Sequence, residues 1–135
     1  MTSQPEAARS RRESRERAVE LAYEANARDL SVDELLDTLV LPAPPFTIDL
    51  LRQAEKYQEQ ADDLIEAKAV GWTIQRMPVM DLLIMRLAVS ELLEANTPKG
   101  VVLAEAVELA GRYSTDESSR FVNGVLAAIA DDLTA

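Results

Sequence analysis

The chain has 135 residues, 47% hydrophobic and 28% charged, which predicts one soluble domain long enough to bury a core of its own. It contains neither Cys nor His, so disulfides, thiolate nucleophiles, sulfur-ligated zinc, the usual general base and the commonest metal ligand are all excluded. The net charge is −10, which in the sum argues against a polyanionic partner. The distribution argues otherwise. Five arginines and two glutamates between Arg9 and Arg17 leave that segment at +3 and the rest of the chain at −13, the pattern of a basic arm on an acidic body. No apolar run approaches the ~18 residues of a membrane span. Met1 to Arg9 lacks the apolar core of a signal peptide, and a cytoplasmic protein is expected.

Residues 1–8 are small and polar and read as a flexible tail, with a single domain over 9–135. From about Arg9 to Arg28 nothing breaks a helix, and Ala18, Leu21, Ala22 and Ala25 recur at helical spacing with Tyr23 beside them. This stripe covers only the second half. The first half, with the arginines, has nothing to bury and is expected to project from the body. Ser31 to Glu34 spells a capping box for a short helix to about Val40. Pro42, Pro44 and Pro45 then predict a stiff extended link. Thr47 is placed to cap a long helix to about Val70, with a kink or solvent-facing turn at Gln58–Gln60 and a stop at Gly71.

Pro78 suits the first position of the next helix. Val79 to Ala95 is apolar on nearly all sides, the mark of a central buried helix. Its polar exceptions Asp81, Arg86, Ser90 and Glu91 must surface or be paired. Thr97-Pro98 opens another helix to about Arg112, with Val102, Ala106, Leu109 and Ala110 facing inward. Ser114 to Glu117 spells a second capping box, and Phe121, Val122, Val125, Leu126 and Ile129 share one face of the last helix. Gly124 within it costs ~1 kcal/mol against Ala and is expected to permit close packing. No period-2 run occurs, so the fold expected is all-α, a bundle of six or seven helices.

Little in this chain carries chemistry. The acidic pairs Asp62-Asp63, Asp116-Glu117 and Asp131-Asp132 point about 100° apart on a helix and do not converge as acid–base pairs must. They read as solvated or dipole-favoured surface. No calcium loop or Gly-rich phosphate cradle is present, and neither catalysis, cofactor nor metal is expected. The arginine cluster is the strongest local signal. Arg11 and Arg15, four apart, share a face with Arg12 next to it, suited to phosphate and stacked-base contact with RNA. The competing reading is a solubilising mixed-charge helix end, since Glu13 and Glu16 lie at pairing distance. Asp81 and Arg86 read either as structural pairing or as a groove for a partner protein.

Several motifs then bring a known family into view. Glu105-Ala-Val-Glu-Leu-Ala110 followed by Tyr113-Ser-Thr-Asp-Glu-Ser-Ser-Arg-Phe-Val-Asn-Gly-Val-Leu126 resembles the NusB family of transcription antitermination factors. So do Gly71-Trp72, Arg76-Met-Pro78, the helix Arg86 to Leu92, and Arg11, Arg12 and Arg15 followed by Ala18 and Tyr23. The wording around Trp72 and Ser114 to Asp116 is similar to actinobacterial members. The resemblance implies two small helical bundles and a non-enzymatic role. It implies binding to ribosomal protein NusE and, with it, to the boxA element of nascent RNA within the RNA polymerase antitermination complex, in support of rRNA operon transcription. It assigns RNA contact to Arg11, Arg12 and Arg15, with a second patch at Arg120, and a NusE-facing groove to Tyr23, Asp81 and Arg86. It permits monomers and homodimers.

Departures from the family pattern bear on affinity. Glu13 and Ser14 interrupt an arginine run that is often denser, Gly111 stands where Lys is common, Ser90 where an aromatic is common, and Ala104 where Asn or Asp is usual. Each missing cation is one phosphate fewer held, so weak RNA binding without the partner is expected. Two alternatives stay open. The same fold resembles the N-terminal RNA-binding domain of rRNA cytosine methyltransferases, although no cofactor-binding Gly-rich motif is present. The other is a structural interaction protein whose arginines only solubilise it.

Overall fold

The computed structural model describes the backbone of residues 4–134 and the side chains of residues 10–134. Among them the chain forms seven α-helices and no strand: α1 (Gln4–Arg28), α2 (Val32–Asp37), α3 (Pro45–Lys56), α4 (Gln58–Lys68), α5 (Val79–Glu94), α6 (Lys99–Tyr113) and α7 (Asp116–Thr134), with a 3₁₀ turn at Ile74–Arg76 between α4 and α5. Two small bundles share α5. On one side α1, α2 and α3 pack together, on the other α4 and α6 pack on α7, and α5 touches α1, α3, α4, α6 and α7. Its all-round apolar sequence is the cause. Leu82 to Met85 and Leu87 to Leu92 are all buried, so only Arg86 and the ends of α5 reach water. The core is continuous through both bundles.

Several boundaries differ from the sequence expectation, each for a local reason. Of the tail expected over 1–8, Met1–Ser3 lie outside the described residues, and the helical backbone starts at Gln4, with Pro5 tolerated in the first turn. The capping box at Ser31 forms as expected, with Glu34 N–H donating to Ser31 Oγ at 3.1 Å and Ser31 N–H to the Glu34 carboxylate at 2.9 Å. Helix α2 ends at Asp37, before Val40. Pro45 is not part of an extended link but the first residue of α3, where its missing N–H costs nothing. Thr47 therefore does not cap. It is fully buried and donates to the Ser14 carbonyl at 2.8 Å, pinning α3 to α1.

The long helix expected from Thr47 to Val70 breaks at Tyr57 (φ −101°, ψ 9°), next to the polar stretch Gln58–Gln60. Left-handed Ala95 (φ 61°) ends α5 and Gly71 (φ 83°) follows α4. At α7 the capping hydroxyl is Thr115, not Ser114: Ser118 N–H donates to Thr115 Oγ1 at 3.1 Å. The close packing expected at Gly124 is absent, since a methyl group there would meet nothing within 4 Å. It occurs at Gly111, where a Cβ would stand 2.9 Å from Ser119 Oγ. That is a physical reason for a glycine at this position of α6.

Candidate nucleic-acid and partner interface

The arginine-bearing half of α1 does not project. It lies along α6 and over the start of α3, and its arginines have different environments. Arg15 is buried, 5% exposed. Its Nε donates to Glu91 Oε2 at 3.0 Å and its Nη2 to Oε1 at 2.8 Å, a two-pronged pair with α5. The guanidinium also lies 5.1 Å from the Phe46 ring centroid. The expectation that Arg15 is free for RNA is thus corrected: it is spent on the core. Extending the Ala18, Ala22, Ala25 series one step back lands on Arg15, and Glu91 was a polar residue on a buried helix needing a partner. Those two signals together could have revealed the pair.

Arg12 is half-exposed. Its Nε and Nη2 meet the Glu105 carboxylate at 3.3–3.4 Å, and Glu108 lies 4.0 Å away. The hydrogen bond with Glu105, then the charges of Glu105 and Glu108, hold the Arg12 guanidinium above its ordinary pKa. Further along the same seam Arg112 pairs with Glu16 and lies 3.8 Å from Glu108, and Tyr113 Oη donates to Glu20 at 3.1 Å. Burial, reinforced by the Glu20 charge, pushes the Tyr113 hydroxyl pKa up. Glu105 and Glu108 stand out in the sequence only as part of the family motif on α6, and spacing along one helix does not show that they face Arg12.

Arg11 is exposed, lies 5.3 Å from the Phe46 centroid and has no ion-pair partner among the described residues. Arg120 is exposed on the second turn of α7, likewise without an ion-pair partner there. Next to it Phe121 packs on Trp72, with ring centroids 5.9 Å apart and tilted by 57°.

Of the three residues expected to form one partner groove, Asp81 is set apart. Tyr23 is half-exposed on α1. Arg86 is bound to Asp62 of α4 at 2.7 and 2.9 Å. It lines an open cleft of about 240 Å³ together with Ala22, Ala25, Leu35, Leu51 and Leu87. Asp81 is 2% exposed, and its Oδ1 has no hydrogen-bond partner among the described residues. Asp81 and Arg86 stand five apart on α5, about 140° around the helix, so they cannot share a face. The expectation of Asp81 as an accessible partner contact is therefore corrected: it is buried in the first turn of α5, where the helix dipole favours a carboxylate. Among the described residues no helix is long and apolar enough to cross a membrane, and no three metal-ligating side chains gather.

With this geometry the comparisons are specific. The NusB family pattern matches residues 12–131. The transcription antitermination protein NusB of Thermobifida fusca (strain YX) is 43% identical over 125 residues, spanning 89% of this chain and 88% of that protein. Among solved structures, T. maritima NusB superposes with a TM-score of 0.78 at 31% identity, covering 90% of this chain and 91% of that one. NusB from Aquifex aeolicus gives 0.72 at 27% identity, with 90% and 87% covered. A chain from a structure described as the crystal structure of a plectonemic RNA supercoil gives 0.80 at 27% identity, with 93% and 96% covered. The chain belongs to the NusB family, and it is a homologue of the transcription antitermination protein NusB.

Proposed function

We propose that this protein is a cytoplasmic, non-enzymatic transcription antitermination factor that binds boxA-type RNA together with ribosomal protein NusE, within the RNA polymerase complex that transcribes rRNA operons. The 43% identity to an antitermination protein over nearly the whole chain carries this reading. The relative solved in an RNA supercoil structure supports the RNA side. Arg11, Arg12 and Arg120 are the cations offered to phosphate, and Arg15 acts as a positioning residue that fixes the arginine half of α1 on the body. Near Arg120 the amides at the start of α7 favour an anion, while Asp116 and Glu117 oppose it.

Tyr23 and the cleft beside Arg86 form the surface assigned to NusE, with Asp81 supporting the start of α5 from inside. The acidic body repels RNA away from the arginine side, so partner and RNA are expected to bind together more tightly than either alone. Titration of fluorescent boxA-like RNA with and without NusE tests this: RNA affinity that does not change on adding NusE overturns the joint reading. Tyr23→Ala tests the NusE surface, expected to weaken the protein complex by roughly 1–3 kcal/mol if the ring is an interface anchor; unchanged affinity moves the surface elsewhere. A second copy covering the arginine face would hide it from RNA, which light scattering with and without RNA reads directly.

A further inference from the structure

We propose that Glu105 and Glu108 of α6 gate the RNA-binding face, holding Arg12 in an autoinhibitory pair that a phosphate must displace. This rests on the RNA-binding reading above and adds its regulation. The seam between α1 and α6 joins two arginines, Arg12 and Arg112, to three carboxylates, Glu16, Glu105 and Glu108. A phosphate approaching Arg12 thus meets a net negative cluster. The repulsion from Glu105 and Glu108 is not screened away, because both lie within 4.0 Å of the Arg12 guanidinium and the screening length is about 8 Å at physiological salt.

The two sides of the pair differ in freedom. The Glu105 side chain is 14% exposed and Arg12 is 46% exposed. Glu105 is fixed in the seam, and Arg12 is the partner able to swing outward. Releasing Arg12 leaves Glu105 largely covered and without its cation, which opposes opening. A single non-specific phosphate contact does not offset that loss. Several contacts made at once, as on an RNA already held by a partner protein, do. The gate therefore lowers affinity for RNA at large and makes engagement of Arg12 conditional on a second anchor.

The test uses the full chain without partner. Glu105→Gln/Glu108→Gln keeps side-chain size and removes both charges. Affinities for a boxA-like oligonucleotide and for oligo-U of equal length are measured across a salt series. The variant is expected to bind both RNAs roughly two- to fivefold tighter at low salt. The log–log salt slope should steepen by up to about 0.7, one more phosphate contact on a single strand. The gain should vanish in an Arg12→Ala background. Asp63→Asn/Glu66→Gln, which removes the same charge from the exposed side of α4, serves as the control and is expected to change affinity little.

Unchanged or weaker binding by the Gln pair overturns the gate, the latter showing that the glutamates position Arg12 for RNA. An equal gain from the α4 control, or a gain that survives Arg12→Ala, also overturns it. Where the double variant does not fold, Glu108→Gln alone, at a half-exposed position, gives the same reading. If Arg11→Ala/Arg12→Ala/Arg120→Ala binds RNA as the parent does, the RNA reading itself has failed, independently of the gate.

Discussion

Arg12 and Arg15 stand three residues apart on one helix and do opposite work. One faces water beside two glutamates, and the other is sealed between α3 and α5 against Glu91. Removing one member of a buried pair leaves a charge in the core. Arg15→Ala is therefore expected to cost about 3–5 kcal/mol of stability, read by urea denaturation, while Arg15→Met/Glu91→Met recovers most of it. A loss under 1 kcal/mol for Arg15→Ala would contradict the pairing. Tyr113 gives a pH prediction. Its folded-state pKa is raised above the ordinary 10.0 by burial and by Glu20, so the folded state holds the proton more tightly than the unfolded chain. That contribution is fully present below about pH 10 and lost as pH rises through the folded pKa. Thermal melts should show an alkaline destabilisation that is reduced in Tyr113→Phe.

At the scale of elements, helix ends and glycines give the sharpest contrasts. The Ser31 cap holds a helix of only six residues, and Ser31→Ala is expected to cost ~1 kcal/mol. The glutamate partner Glu34 is held below the usual carboxylate range, chiefly by the Ser31 backbone N–H. Its share of the cap is present above the unfolded pKa and fades as pH falls through the folded one. Gly124→Ala should stabilise by about 0.5–1 kcal/mol, because the site is exposed, helical and open. Gly111→Ala should gain less or lose, since the new methyl must push Ser119 Oγ from its 3.3 Å hydrogen bond with the Val107 carbonyl. Equal melting shifts for the two would refute this. What was legible in the sequence follows the same division. Periodicity exposed the buried α5, the inner faces of α6 and α7 and the box at Ser31, because those depend on residues within a turn or two of one another. The Arg15–Glu91 pair, the Thr47–Ser14 bond and the Arg12–Glu105 contact depend on which helices become neighbours, and spacing along one helix does not contain that.

For the whole molecule, the same separation decides what RNA binding and stability share. With Arg15 excluded from the ligand set, Arg11→Ala/Arg12→Ala/Arg120→Ala should lower the melting temperature far less than Arg15→Ala, because exposed Arg11 and Arg120 contribute little and the cost is confined to Glu105 losing its cation. The RNA salt slope should fall by up to about 0.7 for each phosphate no longer held. A triple variant that binds with the parent's affinity and slope makes the arginine face an ordinary solvated surface. Family membership and fold were readable from motifs spread over most of the chain, whereas the division of labour among the arginines needed the packed structure.

The Arg15–Glu91 bond also joins residues 76 positions apart, and this orders events during synthesis. Translation at roughly 5–20 residues per second separates the two by about 4–15 s, while a helix forms in about a microsecond. Helix α1 is thus made early, and although α2 and α3 reach it first, its Arg15 waits without a counter-ion until α5 emerges. A nascent chain halted before Glu91 should be digested by protease throughout α1, and one carrying all of α5 should begin to resist.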